Sequence, residues 1–445
     1  MPTENREQDL FLDGIRRLLA NLIPESTVEI LSGLEVVRVI KAASYFATYG
    51  KVSAGYIYEP NSFTFCLRVD GLPDSAIRLT RDLTFRKSER KLLSLIPETI
   101  ASLDTIATDR GQAMAQKLSA TYAQDHVIVS RAIHGVGKGK YHTPATIIKL
   151  LQNLSFMRYE SEPATSGFVF ARKPDTFLKW LDRERYSYSA FSELQPMSLS
   201  FYDQPASYRY VDGKNAFYLI DNGRNVHGVV RVLNPSSWAL QDRAVNKHLL
   251  PMLGHMYTKC WAAYVTSNGQ VRVVQNSMFL QWSNNAWQIR DYDLVHGLLI
   301  DAVPDSALRD RLISCCFALS DLRHGTVMLI PCDHRELPVI SGAIDSSELG
   351  TELRRMLLEK TFVELYDANA LLQVLSSDGL TTISPSGHML GCGDVIQLST
   401  GSGDEQSGGG RTQAAIAASQ FGTAIKVSED GPITIYRHRK RLLTI

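Results

Sequence analysis

The stretch from about residue 195 to 295 constrains the fold most. Short apolar and aromatic runs (SLSFY, YRYV, AFYLI, GVVRVL, CWAAYV, VRVV) follow one another there, separated by Asp-Gly, Asn-Gly and Ser-Asn-Gly. Runs so short, rich in β-branched and aromatic residues and closed by glycine turns, suit successive strands rather than helices. A β-rich module is therefore expected over 191–295.

The flanking segments carry a different period. Phe11, Ile15, Leu18, Leu19 and Leu22 fall at helical spacing, as do Ile147, Leu150, Leu151 and Leu154. Residues 54–69 read as two strands joined by the Glu59-Pro60-Asn61 turn, and Lys91–Ile100 as a helix. The glycine-rich run 131–144 reads as a loop or hinge. Beyond 300, Pro304-Asp305-Ser306 opens a helix, and TVMLI (326–330) is a short buried strand. Ser346 or Ser347 starts another helix running towards Leu365. A strand at GLTTI (379–383), an alanine-rich helix TQAAIAASQ and a hairpin of TAIKVS with ITIYR follow. At roughly 150 residues per domain, 445 residues suggest about three domains. The expectation is an α/β protein: an α/β region over 1–190, the β-rich module, and a mixed-sheet domain flanked by helices over 296–445.

Charge narrows the partners. Lys and Arg number 47 against 46 acidic residues, a formal balance of +1. That excludes affinity gained by blanketing nucleic-acid phosphates or an anionic membrane, but not a small phosphorylated ligand, which needs only local charge. The most apolar run, Ala42–Tyr58, is interrupted by Lys51, Gly50 and Gly55, so no membrane span is expected. The first residues, MPTENREQDLF, lack the basic start and apolar run of a secretory signal. Six cysteines without CxxC spacing read as reduced, buried thiols, and the expected compartment is cytoplasmic.

Three features of the last domain could carry chemistry. Asp378-Gly379 opens a strand, where a carboxylate beside a glycine could hold a metal or orient a hydroxyl, or form only a turn. Gly408-Gly409-Gly410-Arg411-Thr412 runs into a helix. Open amides, the helix dipole, a guanidinium and a hydroxyl would suit phosphate there, the alternative being a flexible linker. VSE at 427–429 supplies Glu429, a second carboxylate or part of a Glu-Asp-Gly turn.

Together and in this order, Arg323-His324-Gly325-Thr326, Asp378-Gly379-Leu380, Gly409 through Ala415, Ser419 and Val427-Ser428-Glu429 resemble the diadenylate cyclase catalytic domain over roughly residues 300–445. The resemblance implies a domain that binds ATP with a divalent metal ion (Mn or Mg) and joins two ATP into cyclic di-AMP. It implies catalytic roles for Asp378, Arg411 and Thr412, with metal held by Asp378 and Glu429. Nucleotide contacts would come from Gly379, Leu380, Ile396, Gly409, Gly410, Arg411, Thr412, Gln413 and Ser419. A homo-oligomer would bring catalytic faces together, and the preceding region would sense an unidentified signal.

The phosphate loop departs from the family. Its GTRHR is GGRTQ here, with Thr412 for histidine and Gln413 for the second arginine, and Leu380 stands for the alanine of DGA. Between Asp378 and Lys426 the only formal cation is Arg411. Two alternatives therefore stand beside cyclisation: a nucleotide-binding sensor without turnover, and a synthase with a different product. Arg437-His438-Arg439 reads as a basic tail beyond the last hairpin. Gly135 through Gly139 lacks the spacing of a nucleotide loop. The spaced His126, His134 and His142 share no helical face, and Asp333-His334-Arg335-Glu336 reads as a surface turn.

Overall fold

The computed structural model describes residues 2–23, 25–43, 45–49, 52–69, 73–86, 89–97, 99, 129–130, 142–198, 200–235, 247–253, 260–275, 278–283, 285–290, 292–333, 337–376, 378–397 and 409–445. The chain forms two compact units, Met1–Leu233 with Met252–Arg290, and Asn234–Pro251 with Asp291–Ile445. Each combines helices with sheets, as the α/β reading requires. The expected boundaries at 190/191 and 295/296 fall inside a strand and a helix described below.

The first unit holds two sheets. Strands β1 (Thr27–Leu31), β2 (Tyr45–Tyr49), β3 (Val52–Glu59), β4 (Ser62–Val69) and β5 (Ser75–Thr80) form an antiparallel sheet in the order β1-β5-β4-β3-β2. The β3–β4 hairpin turns at Pro60-Asn61, as its sequence requires. A two-residue hairpin, β6 (Arg158–Tyr159) with β7 (Glu162–Pro163), precedes the larger sheet. That sheet combines β8 (Gly167–Phe170), β9 (Tyr186–Pro196), β10 (Ala216–Ile220), β11 (Asn225–Val232), β12 (Trp261–Val265), β13 (Val271–Gln275), β14 (Met278–Ser283) and β15 (Ala286–Ile289). Its order is β15-β14-β13-β12-β8-β10-β11-β9, with only β8 and β10 parallel.

Helix α1 (Pro2–Leu22) packs on β1, β5 and β15, so its buried stripe Ile15, Leu18, Leu19 and Leu22 serves both sheets. Helix α2 (Leu34–Ala42) lies on β4 and β5, and α3 (His142–Ser155) on β12 and β13. A short α4 (Pro174–Trp180) follows β8. Residues 89–97 are helical, as expected. The 131–141 run, including Gly135 through Gly139 and His134, lies outside the described residues, as does His126.

Two expected strands are absent. Residues 200–205 turn, and α5 (Ala206–Arg209) replaces YRYV. The reason is packing. Phe201 and Tyr202 lie against Phe168, and Phe201 meets Tyr218 edge-on, so these aromatics are buried by lying on the sheet instead of joining it.

The second unit is built on one mixed sheet: β16 (Thr326–Pro331), β17 (Ile340–Ala343), β18 (Leu380–Ile383), β19 (Met389–Ile396), β20 (Gly422–Val427), β21 (Ile433–Arg437) and β22 (Lys440–Thr444). The order is β17-β19-β18-β16-β20-β21-β22. Only β16 and β18 are parallel, so their connection must cross over, and it does so through helices. Helix α6 (Tyr292–Leu298) precedes α7 (Ser306–Leu322), which Asp305 caps by accepting from the Leu308 amide. Helix α7 packs on β20 and β21. Helix α8 (Glu348–Leu358) stops earlier than expected, because Thr361 and Glu364 form a capping box that starts a separate α9 (Phe362–Asp367). The crossover ends with α10 (Leu371–Leu375).

Helix α11 (Gly410–Ala418) packs on β16, β20 and β21. Ala415 and Ala418 bury against Val327, Leu329, Leu380, Ile396, Ala424 and Tyr436, the alternate residues of one sheet face. Small side chains let the helix approach closely. The Arg437-His438-Arg439 run is not a tail, since β22 follows and the run is the β21–β22 turn. Five of the six cysteines are buried free thiols and Cys332 is exposed. Among the described residues, no helix is long and apolar enough to cross a membrane.

Candidate functional site

The starts of β16 and β18 and the end of β20 lie at one end of the second sheet, because β16 runs parallel to β18 and antiparallel to β20. That topology gathers residues far apart in sequence. Asp378 precedes β18, Glu429 follows β20, Gly325 precedes β16, and Arg411 stands in the first turn of α11.

Arg411 joins the two carboxylates. Its Nη1 donates to Glu429 Oε1 at 2.6 Å and its Nη2 to Asp378 Oδ1 at 2.7 Å. The bond to Glu429 is the main cause that holds the guanidinium above its already high ordinary pKa; partial burial opposes it, and the bond to Asp378 adds to the rise. Both carboxylates are about two-thirds exposed, at 65% and 66%. This cluster is therefore open to solvent and contributes little to stability. Gly325 forms its wall: a Cβ there would stand 2.5 Å from Arg411 Nη1 and 3.1 Å from Glu429 Cγ.

Gly379 is required by the backbone. Its φ is +95°, and a Cβ would lie 2.7 Å from the Gly393 carbonyl carbon. Gly379→Ala is expected to destabilise the fold by at least about 1–3 kcal/mol, read as a lower midpoint in a circular-dichroism melt; an unchanged midpoint would refute the conformational requirement.

The other expected contacts are placed as follows. Gly409 and Gly410 are exposed, with nothing within 4 Å of a Cβ at either. Gly409 starts α11 without a side-chain cap, and the Thr412 and Gln413 amides return to its carbonyl. The preceding residues 398–408 lie outside the described set. Leu380 and Ile396 are buried beneath α11 in the apolar cluster. Ser419 is fully buried, and its polar atoms hold the β21–β22 turn. Its hydroxyl accepts from the Arg439 amide at 2.9 Å and donates to the Ile416 carbonyl, while its carbonyl accepts from the His438 amide. Arg437 is likewise engaged, with Thr423, Leu298 and Asp301.

Two charged residues emerge that motif reading passed over. Lys426 lies opposite Val327 on the face that α11 covers, and its Nζ donates to Thr412 Oγ1 at 2.9 Å. Asp394 pairs with Leu380 across β18–β19 and is buried, bonded to Arg354 of α8. Burial pushes the Asp394 carboxyl up, and Arg354 opposes that only in part. Both carry a signal in sequence: each is a charge at a position whose period-2 neighbour, Ala424 or Ile396, is apolar and inward.

Among the described residues no group of three or more His, Cys, Asp or Glu could hold a metal ion. Asp378 and Glu429 offer two carboxylates bound to one guanidinium. Such a pair fits a magnesium-like ion only where substrate phosphates and water complete its shell. His334 and Glu336 lie outside the described residues.

No protein-family model matches this chain, and no curated protein matches it. Among solved structures, one described as "the hypothetical membrane spanning protein from Bacillus cereus" is similar over 34% of this chain and 71% of that one, with 15% identity and a TM-score of 0.24. A likeness that slight carries no argument.

Proposed function

We propose that the second unit is a nucleotidyltransferase of the diadenylate cyclase type. It would condense two ATP into cyclic di-AMP with release of two pyrophosphates, under regulation by the region before it. The observation that carries this reading is the Arg411 bridge between Asp378 and Glu429, beside a glycine-started helix. Motif segments separated by as many as a hundred residues meet at one end of one sheet.

In this reading each 3′-hydroxyl attacks the α-phosphorus of the other ATP, its proton is lost, and pyrophosphate leaves; two such steps close the ring. Asp378 accepts or orients the hydroxyl proton, the Arg411 guanidinium and the Gly410 and Arg411 amides at the start of α11 hold phosphate oxygens, and Gly379 leaves room beside the carboxylate. A divalent ion on Asp378 and Glu429 would supply charge neutralisation at the phosphates. The two attacks are reciprocal, so two copies of the unit must face each other, and the protein would act as a homo-oligomer.

A second reading, a nucleotide sensor without turnover, is favoured by one fact. Both arms of Arg411 are already occupied by carboxylates, which leaves the loop's own cation neutralised. Incubation of the full chain with ATP and Mn²⁺ or Mg²⁺, followed by mass spectrometry, separates the readings. Cyclic di-AMP is the expected product. ATP bound but unconverted under both metals would select the sensor, and another product mass a different synthase. Light scattering should show an oligomer in the active state.

A further inference from the structure

The charge near the phosphate loop does not add up as the loop motif implies. Arg411, Asp378 and Glu429 together sum to one net negative charge, so the bridge alone repels a polyphosphate. Of the cationic residues on α11 and β20, Lys426 is the other one, and among the described residues no carboxylate lies within ion-pair distance of it. We infer that Lys426 is a second phosphate-binding cation of this site beside Arg411, in the place of the charges that Thr412 and Gln413 do not supply. This inference rests on the ATP-site reading above.

Three observations converge on it. By strand alternation Lys426 faces the helix that begins with the loop, opposite Val327 and two residues from the buried Ala424. It is half-buried, where an ammonium without a counter-ion is costly. A lysine at the end of a strand ordinarily carries its charge outward to water. Here the ammonium is held instead by Thr412 Oγ1, next to Arg411 in the first turn of α11. That is the positive end of the helix, an unfavourable place for a cation standing alone. A polyphosphate between the ammonium and the helix amides would satisfy both. Thr412 then acts as a positioning residue: its hydroxyl can accept from the ammonium and donate to an oxyanion at once.

The test is equilibrium binding of ATP and of AMP to the full chain in EDTA, by calorimetry. Lys426→Met should weaken ATP about 10–100-fold, the scale of a lost charged hydrogen bond, and AMP much less. Lys426→Gln, which can still bond Thr412, should lose as much, and Lys426→Arg should retain most of the affinity. Unchanged ATP affinity in the Met and Gln variants, or an equal loss for ATP and AMP, would overturn the assignment while leaving the site reading intact. A wild-type chain that binds ATP neither in EDTA nor with Mg²⁺ would overturn both, and one that binds it only with Mg²⁺ would overturn the assignment alone. Circular-dichroism melts identify a variant that fails to fold, and the remaining variants then decide.

Discussion

Asp378→Ala is expected to lower turnover of ATP by about 10²–10⁴-fold, the range ascribed to a positioned proton acceptor. Its ATP affinity in EDTA should not weaken. The two effects separate because Asp378 plays two electrostatic parts. In the proposed mechanism it is the proton acceptor at the start of β18, and in the structure it occupies one arm of Arg411. Removing it frees one guanidinium arm for phosphate. Since the side chain is largely exposed, the melt should move little. Parallel measurement of product formation and of ATP affinity checks the split. Loss of both together, with a lowered melting midpoint, would make Asp378 a structural residue and not a chemical one.

The largest stability effect is expected in the first unit, at Arg81. Its guanidinium meets Glu89 through two bonds, at 2.7 and 2.5 Å, donates to the carbonyls of Leu83 and Thr84, and lies over the Phe85 ring. Glu89 also accepts from the Arg86 amide, and the two side chains are 1% and 0% exposed. Such a pair is paid for by its completeness: removing one partner leaves a buried charge unmatched. Arg81→Ala is therefore expected to destabilise this unit by about 3–5 kcal/mol. The double change Arg81→Met with Glu89→Leu should recover most of the loss, because neither charge then remains to be desolvated. Four of the five tryptophans, Trp180, Trp261, Trp282 and Trp287, belong to the first unit, so urea unfolding followed by tryptophan fluorescence reports mainly on it. A single variant that unfolds at the wild-type urea concentration would show that the pair contributes nothing.

Much of the second unit was legible from local pattern. Asp305 caps its helix as a side-chain acceptor before an apolar stripe should, and TVMLI, GLTTI and the TAIKVS–ITIYR hairpin are strands. The α8–α9 break was also present in the letters, as Thr361 and Glu364 in capping-box spacing, but the continuing apolar period masked it. SLSFY and YRYV misled for the opposite reason. Aromatic residues report burial, and burial on top of a sheet is as good as burial within one. The candidate site was legible as a set of motifs, whereas its electrostatics were not. Along the chain Arg411 is the only formal cation between Asp378 and Lys426, whereas β20 brings Lys426 to the same helix turn from the sheet face beneath α11.

The sequence by itself determined what is local: the α/β alternation, the caps, the Asp-Gly step that opens β18, and the near-neutral total charge. Only the tertiary structure decided which charges meet. Asp378, Arg411 and Glu429 are joined because β16 pairs with β18 on one side and β20 on the other. Sheet order is set by the burial of whole faces, a property of the assembled core to which each strand contributes only an alternating pattern. The same assembly turns Ser419 inward to hold a turn and aims Lys426 at the loop. Charge is additive along a chain, but its effect falls with distance in space, and the fold alone fixes that distance.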